Sequence, residues 1–308
     1  MEKIAAIDIG SNAVRLTTAD LISSDNILID KKIRIPIRLG SEAFSKNQTY
    51  SKEFIKYAQF AFIEINKTLK QLNISRCRTV ATSAMRDAKN SKDLKKAIHE
   101  SSGIKINTIS GDLEAQLILK AIQNSDLYDK KYDYLLFDLG GGSLELSLLI
   151  KGEVKSYESI NLGTVRMMEY HKNNDDYNQW IEAKFKKINN FIKKQLINSK
   201  KFSVLGTGGN FRRLIKLKQL VLDKKSNSVT PIEIQEILVT LEQTSYLERI
   251  QQFELRPDRA DVIIPAIQVI SGVLENLPVN KIFAPNAGLG QGVILDMSDG
   301  KSKLDQIF

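Results

Sequence analysis

One pattern constrains the fold more than any other, because it occurs twice. Near the N-terminus "KIAAIDIGSNAVRLTTADL" is an apolar run that reaches Asp8, turns at Gly10, Ser11 and Asn12, and resumes as a second run. Far downstream "YDYLLFDLGGGSLELSLLI" repeats the arrangement around Asp138 and the turn Gly140, Gly141, Gly142 and Ser143. Apolar runs broken by a glycine turn read as paired strands, and the same unit met twice in one chain reads as an internal duplication. A chain of 308 residues, 42% of them apolar, is long enough to bury a core in each of two halves.

The intervening segments predict an α/β chain. "SKEFIKYAQFAFIEINKTLKQL" has helical spacing behind Ser51, a good N-cap. "CRTVATSAMRDAKN" predicts a strand running into a polar loop at Thr82 to Asn90, with a helix restarting near Ser91. "IKINTIS" predicts a short strand, and "DLEAQLILKAIQ" a helix with Asp112 and Glu114 in its first turn. In the second half "WIEAKFKKINNFIKKQL" is an amphipathic helix, and "TPIEIQEILVTLEQ" opens on a capping box with proline at the first helical position. "DRADVIIPAIQVISGVLENL" reads as one mostly apolar helix. "FSVLGTGGNFRRLIKL" and "KIFAPNAGLGQGVILDM" each read as strand, glycine loop, helix. The expected domains are 1–122 and 123–308, with the C-terminal helix free to join the first.

Composition removes several chemistries. One cysteine, Cys77, and two histidines, His99 and His171, exclude an internal disulfide and a thiolate or His-rich metal site, so any metal is a hard ion on carboxylates, water and substrate. No segment has the length and apolarity of a signal peptide or a membrane span, which predicts a cytoplasmic protein without a membrane partner. The net charge is +9, and Lys184 to Lys225 carries thirteen Lys or Arg against one acid, Asp223. Solvated amphipathic faces and a surface that guides a polyanion both account for that run. No aromatic-interleaved motif or Cys/His finger supports sequence-specific nucleic-acid binding.

Four glycine loops follow strands: Gly10 to Asn12, Gly140 to Ser143, Gly206 to Asn210 and Gly288 to Gly292. Glycine lets backbone amides approach an anion closely, so the set points to a phosphate ligand, although each loop alone could be a simple turn. Asp8 and Asp138 would place negative charge beside those loops, which calls for a cation such as Mg²⁺.

In order along the chain, "AAIDIGSNAVRL", "ATSAMRDA", "ISGDLEAQLI", "FDLGGGSLEL", "LGTVRMME", "LGTGGNFRRL" and "LRPDRADVIIPA" resemble the motifs of the exopolyphosphatase and guanosine pentaphosphate phosphohydrolase (Ppx/GppA) family, in its short two-domain form. The resemblance implies two ribonuclease H-like domains of the actin, Hsp70 and acetate kinase superfamily, with an inter-domain cleft. It also implies a hydrolase of phosphoanhydride bonds acting on inorganic polyphosphate or guanosine pentaphosphate, dependent on Mg²⁺ or Mn²⁺. Glu114 matches the glutamate that orients or deprotonates the attacking water; as a bare acid in a first helical turn it would only complement the helix dipole. Asp138 and Glu145 match the acids of the second loop and join Glu114 as catalytic candidates, with Asp138, Glu145 and Asp8 as metal candidates. Arg86 matches a phosphate-gripping arginine. Ser11, Asn12, Gly140, Gly141, Gly142, Ser143, Thr207, Gly208 and Gly209 are the further phosphate contacts implied. A homodimer is an open expectation.

The sequence also departs from the family pattern. Leu113 stands where a first glutamate is common, Leu144 replaces a threonine and removes a hydroxyl from the loop, and Gly208 replaces a serine or threonine. Gly290 and Gln291 stand where a charged pair is common. Two other readings therefore stay open: an ATP-dependent small-molecule kinase, and a non-catalytic sensor of polyphosphate or an alarmone.

Overall fold

A computed structural model describes residues 2–23, 26–198, 202–275, 277, 279–300 and 302–307. Lys200 and Lys201 of the basic run lie outside the described residues. The chain divides into two compact units, residues 1–121 with 288–308, and residues 122–287.

The first unit is built on β1 (Glu2–Ile9), β2 (Val14–Ser23) and β3 (Asn26–Ile35), followed by α1 (Gly40–Ala43), α2 (Lys52–Gln71), β4 (Arg76–Ala81), α3 (Ser83–Asp87), α4 (Ser91–Ser102), β5 (Asn107–Thr108) and α5 (Gly111–Gln123). β1, β2 and β3 form an antiparallel meander, and β4 then runs parallel to β1 with β5 parallel beyond it. Nearly all of β1 and the whole of β4 are buried, which is why both read as uninterrupted apolar or small-residue runs. β3 declares itself poorly in the sequence because its exposed positions include Asp30, Lys31 and Lys32. Thr82 to Asn90 holds helix α3 rather than the expected loop: the Thr82 carbonyl accepts from the Met85 and Arg86 amides, and Ala84 and Met85 bury themselves.

The second unit repeats the plan. β6 (Tyr134–Leu139), β7 (Leu144–Ile150) and β8 (Glu153–Ile160) form the antiparallel meander; then come α6 (Thr164–Asn173), α7 (Tyr177–Asn198), β9 (Ser203–Thr207), α8 (Gly208–Leu222), β10 (Ser228–Val229), α9 (Pro231–Glu242), α10 (Tyr246–Gln252), α11 (Pro257–Ala260), α12 (Ile263–Leu274) and β11 (Ile282–Phe283). β9 is parallel to β6 and β11 parallel to β9, so both sheets share the ribonuclease H-like order of an antiparallel trio followed by parallel strands. The α9 capping box forms as expected between Thr230 and Glu233. The single helix expected after Arg256 is two, α11 and α12, separated at Asp261 and Val262.

The final segment, α13 (Leu289–Ser298) and β12 (Asp305–Ile307), belongs to the first unit, so the second ends at Ala287 rather than running to residue 308. α13 packs on β1 and β2. Gly292 has no room for a side chain, since a Cβ there would lie 1.8 Å from the Leu117 carbonyl oxygen of α5. The Gly288 to Gly292 stretch is therefore not a free anion loop: its glycines from Gly290 on sit inside the helix and serve close packing. β12 pairs with β4, where the buried Asp305 accepts from Arg76 Nη1 at 3.1 Å and Arg78 Nε at 2.6 Å. No helix among the described residues is long and apolar enough to cross a membrane.

Candidate functional site

In the first unit the β1–β2 turn is closed by the Gly10 amide donating to the Ala13 carbonyl at 3.1 Å. The Ser11 carbonyl accepts from the Gly40 amide at the start of α1, at 2.8 Å. Asn12 is held by Arg38, whose Nε donates to Oδ1 at 2.7 Å, and the Ser11 and Ser83 hydroxyls are 2.9 Å apart. Residues in register across a sheet share a face, so Val80, Asp8, Arg15 and Arg34 form one row over β4, β1, β2 and β3. Within it Arg15 Nη1 donates to Asp8 Oδ2 at 3.0 Å. The charge of Asp8 is thus compensated by its own cross-strand neighbour.

Arg86 and Glu114, distant in sequence, are brought together in this unit. Helix α3 aims Arg86 so that Nη1 donates to Glu114 Oε2 at 3.0 Å and to the Ile109 carbonyl at 2.9 Å. Both side chains keep partial exposure, 24% and 12%. The contacts use Nη1 alone, so among the described residues Nη2 and Nε retain donor capacity for an anion.

The second unit carries the same turn with a different charge. The Gly140 amide donates to the Ser143 carbonyl at 2.9 Å, matching Gly10 and Ala13. Here the carbonyls of Gly140 and Gly141 accept from the first amides of α6, those of Thr164, Val165 and Arg166, while Arg166 Nε donates to the Gly142 carbonyl at 2.6 Å. In a trans peptide the carbonyl and the next amide point opposite ways. Three successive amides, those of Gly141, Gly142 and Ser143, are consequently turned away from α6, an arrangement suited to oxyanions. Gly163 allows this approach: a Cβ there would lie 2.3 Å from the Gly142 nitrogen.

The corresponding row across this sheet is Thr207, Asp138, Glu145 and Ser159, over β9, β6, β7 and β8. Ser159 Oγ donates to Glu145 Oε1 at 3.3 Å, and Thr207 Oγ1 is buried with no hydrogen-bond partner. Two opposed carboxylates and an unsatisfied hydroxyl form an all-oxygen donor set that fits Mg²⁺, an ion that takes one or two carboxylates and completes its shell with water and phosphate. Among the described residues no group of three or more His, Cys, Asp or Glu could hold a metal, so the protein alone would not fill the shell.

Gly208 and Gly209 border this row. Gly208 has φ +85, and a Cβ on it would fall 2.5 Å from Asp138 Oδ1; one on Gly209 would fall 2.2 Å from Arg259 Nη2. The departure at Gly208 thus has a steric reason in this chain. Leu144 is fully buried and packs in the core with Phe137, Leu139 and Leu146, on the face of the sheet opposite Asp138 and Glu145. The hydroxyl expected to be missing from the phosphate loop would instead have pointed into the apolar core.

The sequence reading passed over several residues that shape these sites. Arg259, in "RPDRAD", donates to Asn210 Oδ1 at 2.9 Å, and Asn210 Nδ2 donates to the Leu139 carbonyl at 2.7 Å, tying the Gly206 to Asn210 loop to the end of β6. Arg166 and Arg259 lay inside quoted motifs, which was the available signal. Arg34 and Arg38 lay in a segment with no motif.

Residues 26–301 match the family model of the Ppx/GppA phosphatase family. A bifunctional 3-dehydroquinate synthase/phosphatase of Fusobacterium nucleatum is 28% identical over 96% of this chain, which spans 47% of that protein's length. A putative exopolyphosphatase of Haemophilus influenzae is 22% identical, covering 96% of this chain and 92% of its own. The crystal structure of an exopolyphosphatase from Cytophaga hutchinsonii superposes with a TM-score of 0.87 at 22% identity, covering 98% of this chain and 99% of the other, and so shares the fold.

Proposed function

The chain belongs to the Ppx/GppA phosphatase family, and on that premise we propose that it hydrolyses a phosphoanhydride bond, releasing terminal phosphate from inorganic polyphosphate or guanosine pentaphosphate. The observation that carries this reading is the second unit's row, in which Asp138 and Glu145 stand opposed beside a turn whose amides face away from α6. The names of the Haemophilus and Cytophaga relatives support polyphosphate as a substrate.

In this reading the amides of Gly141, Gly142 and Ser143, with Thr207 and the amides of Gly208 and Gly209, bind phosphate oxygens of the substrate. Asp138 and Glu145 hold Mg²⁺ or Mn²⁺, which when bound neutralises charge on those oxygens. Asp8 drops out as a ligand because Arg15 already compensates it. In the first unit Ser11, Asn12 and Arg86 bind phosphate, while Glu114 orients water and takes its proton. Water adds to the terminal phosphorus, the bridging P–O bond breaks, and its electron pair leaves with the shortened chain. Arg86 fixes the Glu114 carboxylate from one side, so the acid meets water in a set orientation.

The sensor reading rested on Leu144 and Gly208. Leu144 is a core residue and Gly208 is required sterically, so neither now favours it. A colorimetric phosphate assay with Mg²⁺, comparing long-chain polyphosphate, tripolyphosphate, guanosine pentaphosphate and ATP, tests the proposal. Release from polyphosphate or the pentaphosphate is expected. No release from any substrate, or ATP consumed only with a phosphorylated acceptor, overturns it.

A further inference from the structure

The second unit contains a convergence of positive charge that hydrolysis as described does not use. Helices α6 and α7 are locked by Tyr170 and Trp180, whose rings stack 4.4 Å apart at 14°. One turn before Tyr170 is Arg166, and one turn after Trp180 is Lys184, so the aromatic stack sets these two cations side by side. Lys184 Nζ lies 5.2 Å from the centre of the Trp180 ring, which holds the ammonium in place. Lys187, three residues further along α7, donates to the Ser159 carbonyl at 3.4 Å and pairs with Glu158 at 2.6 Å. The cluster is joined to the candidate site at both ends: Arg166 bonds the Gly142 carbonyl, and Ser159 bonds Glu145.

Such a grouping opposes folding. Burial first, then the neighbouring charges of Arg166 and Lys187, hold the Lys184 ammonium below the ordinary lysine pKa, and no acid among the described residues pairs with it. Like charges kept together beside a loop of outward amides are characteristic of a site that stores repulsion to be relieved by an anion.

We propose that Arg166, Lys184 and Lys187 form a second anion subsite beside the Gly140–Ser143 loop, which takes a phosphate of the substrate beyond the one being released. The inference rests on the phosphoanhydride reading and deepens it, since it makes substrates with three or more phosphates better ligands than pyrophosphate. Two sources share this chemistry: the next phosphates of a continuous chain, and the 3′-diphosphate of guanosine pentaphosphate.

Calorimetric binding in Mg²⁺-free buffer, with wild type, Lys184→Met and Lys184→Arg against pyrophosphate, tripolyphosphate, long-chain polyphosphate and guanosine pentaphosphate, tests it. Losing one charge-assisted contact predicts about a tenfold weaker tripolyphosphate complex for Lys184→Met. Pyrophosphate should be nearly unaffected, and Lys184→Arg should retain most of the affinity. A loss shared by tripolyphosphate and long chains assigns the subsite to a continuous chain; a loss confined to guanosine pentaphosphate assigns it to the 3′-diphosphate. Because Lys184→Met removes a cation from between two others, its melting temperature should be no lower than wild type. Equal affinities of wild type and Lys184→Met, or an equal loss in both variants, overturn the subsite while wild-type hydrolysis upholds the activity. A melting temperature lowered without any loss of binding also overturns it, by making the lysine structural. Wild type that neither binds nor hydrolyses any of the four overturns both.

Discussion

Arg86 Nη1 and Glu114 Oε2 lie 3.0 Å apart, an ion pair that joins the start of α5 to helix α3 and also anchors to the Ile109 carbonyl. The pair gives Glu114 a fixed direction that a first-turn acid serving only the helix dipole would not need. Glu114→Gln preserves shape and one hydrogen-bond acceptor for Arg86. We expect it to fold with an unchanged melting profile and to lose about 10²- to 10⁴-fold in turnover, as for removal of a general base. Phosphate release near the wild-type rate would remove Glu114 from the chemistry.

Arg259 acts through Asn210 on the loop that contains Thr207, Gly208 and Gly209. Arg259→Ala leaves the buried Asn210 Oδ1 without its donor, which costs about 1 to 3 kcal/mol. Urea unfolding should show that loss, and kcat should fall with KM for tripolyphosphate rising. Arg259→Lys should restore part of the stability and less of the kcat, because an ammonium lacks the planar fork. Full activity in both variants would make the residue a packing element only.

Gly208 and Gly103 both adopt positive φ, but only Gly208 faces a functional group. Gly103→Ala meets nothing within 4 Å and should cost only backbone strain, about 1 kcal/mol, with full activity. Gly208→Ala adds a clash with Asp138 Oδ1, so it should also weaken the Mg²⁺ dependence of activity, read as a higher half-saturating Mg²⁺ concentration. Identical behaviour of the two variants would mean that Asp138 is not held by this contact.

Leu144→Thr restores the residue common in relatives, yet the side chain is fully buried. Removing core volume and burying a hydroxyl should destabilise by about 2 kcal/mol or more. No gain in turnover is expected. A clear rise in kcat would show that position 144 does reach the phosphate loop.

Asp296 contributes acid sensitivity. Burial alone would raise its pKa, but hydrogen bonds from Arg78 and Lys120 outweigh burial and hold the carboxyl below the ordinary aspartate value. A folded-state pKa below the unfolded one means stability that is fully present above about pH 4 and is lost as pH falls through the depressed value. The carboxylate is 41% exposed, so the contribution is screened and modest. Asp296→Asn should melt lower than wild type at neutral pH, and the difference should close below about pH 3. A difference that persists unchanged at that pH would assign it to packing.

Much of this was legible in the sequence because it is local. The Asp8 and Asp138 hairpins, the Ser51 N-cap and the Thr230 capping box all depend on residues within a few positions of one another, and the structure bears them out. β3 and β8 were harder, since edge strands with exposed charged residues lack a continuous apolar run. Helix α3 was missed because five residues give too little periodicity; its burial against the rest of the unit makes it helical.

The sequence by itself determined that two acids would each end a buried strand before a glycine turn, because alternation and turn chemistry are written in neighbouring residues. Only the tertiary structure decided what those acids face. Strand register sets Arg15 opposite Asp8 but Glu145 opposite Asp138, and brings Thr207 into the second row and Val80 into the first. It likewise turned Leu144 into the core and closed α13 over the first sheet at Gly292. These outcomes depend on pairings between distant segments, where shifting a strand by one residue would exchange every side chain between the two faces.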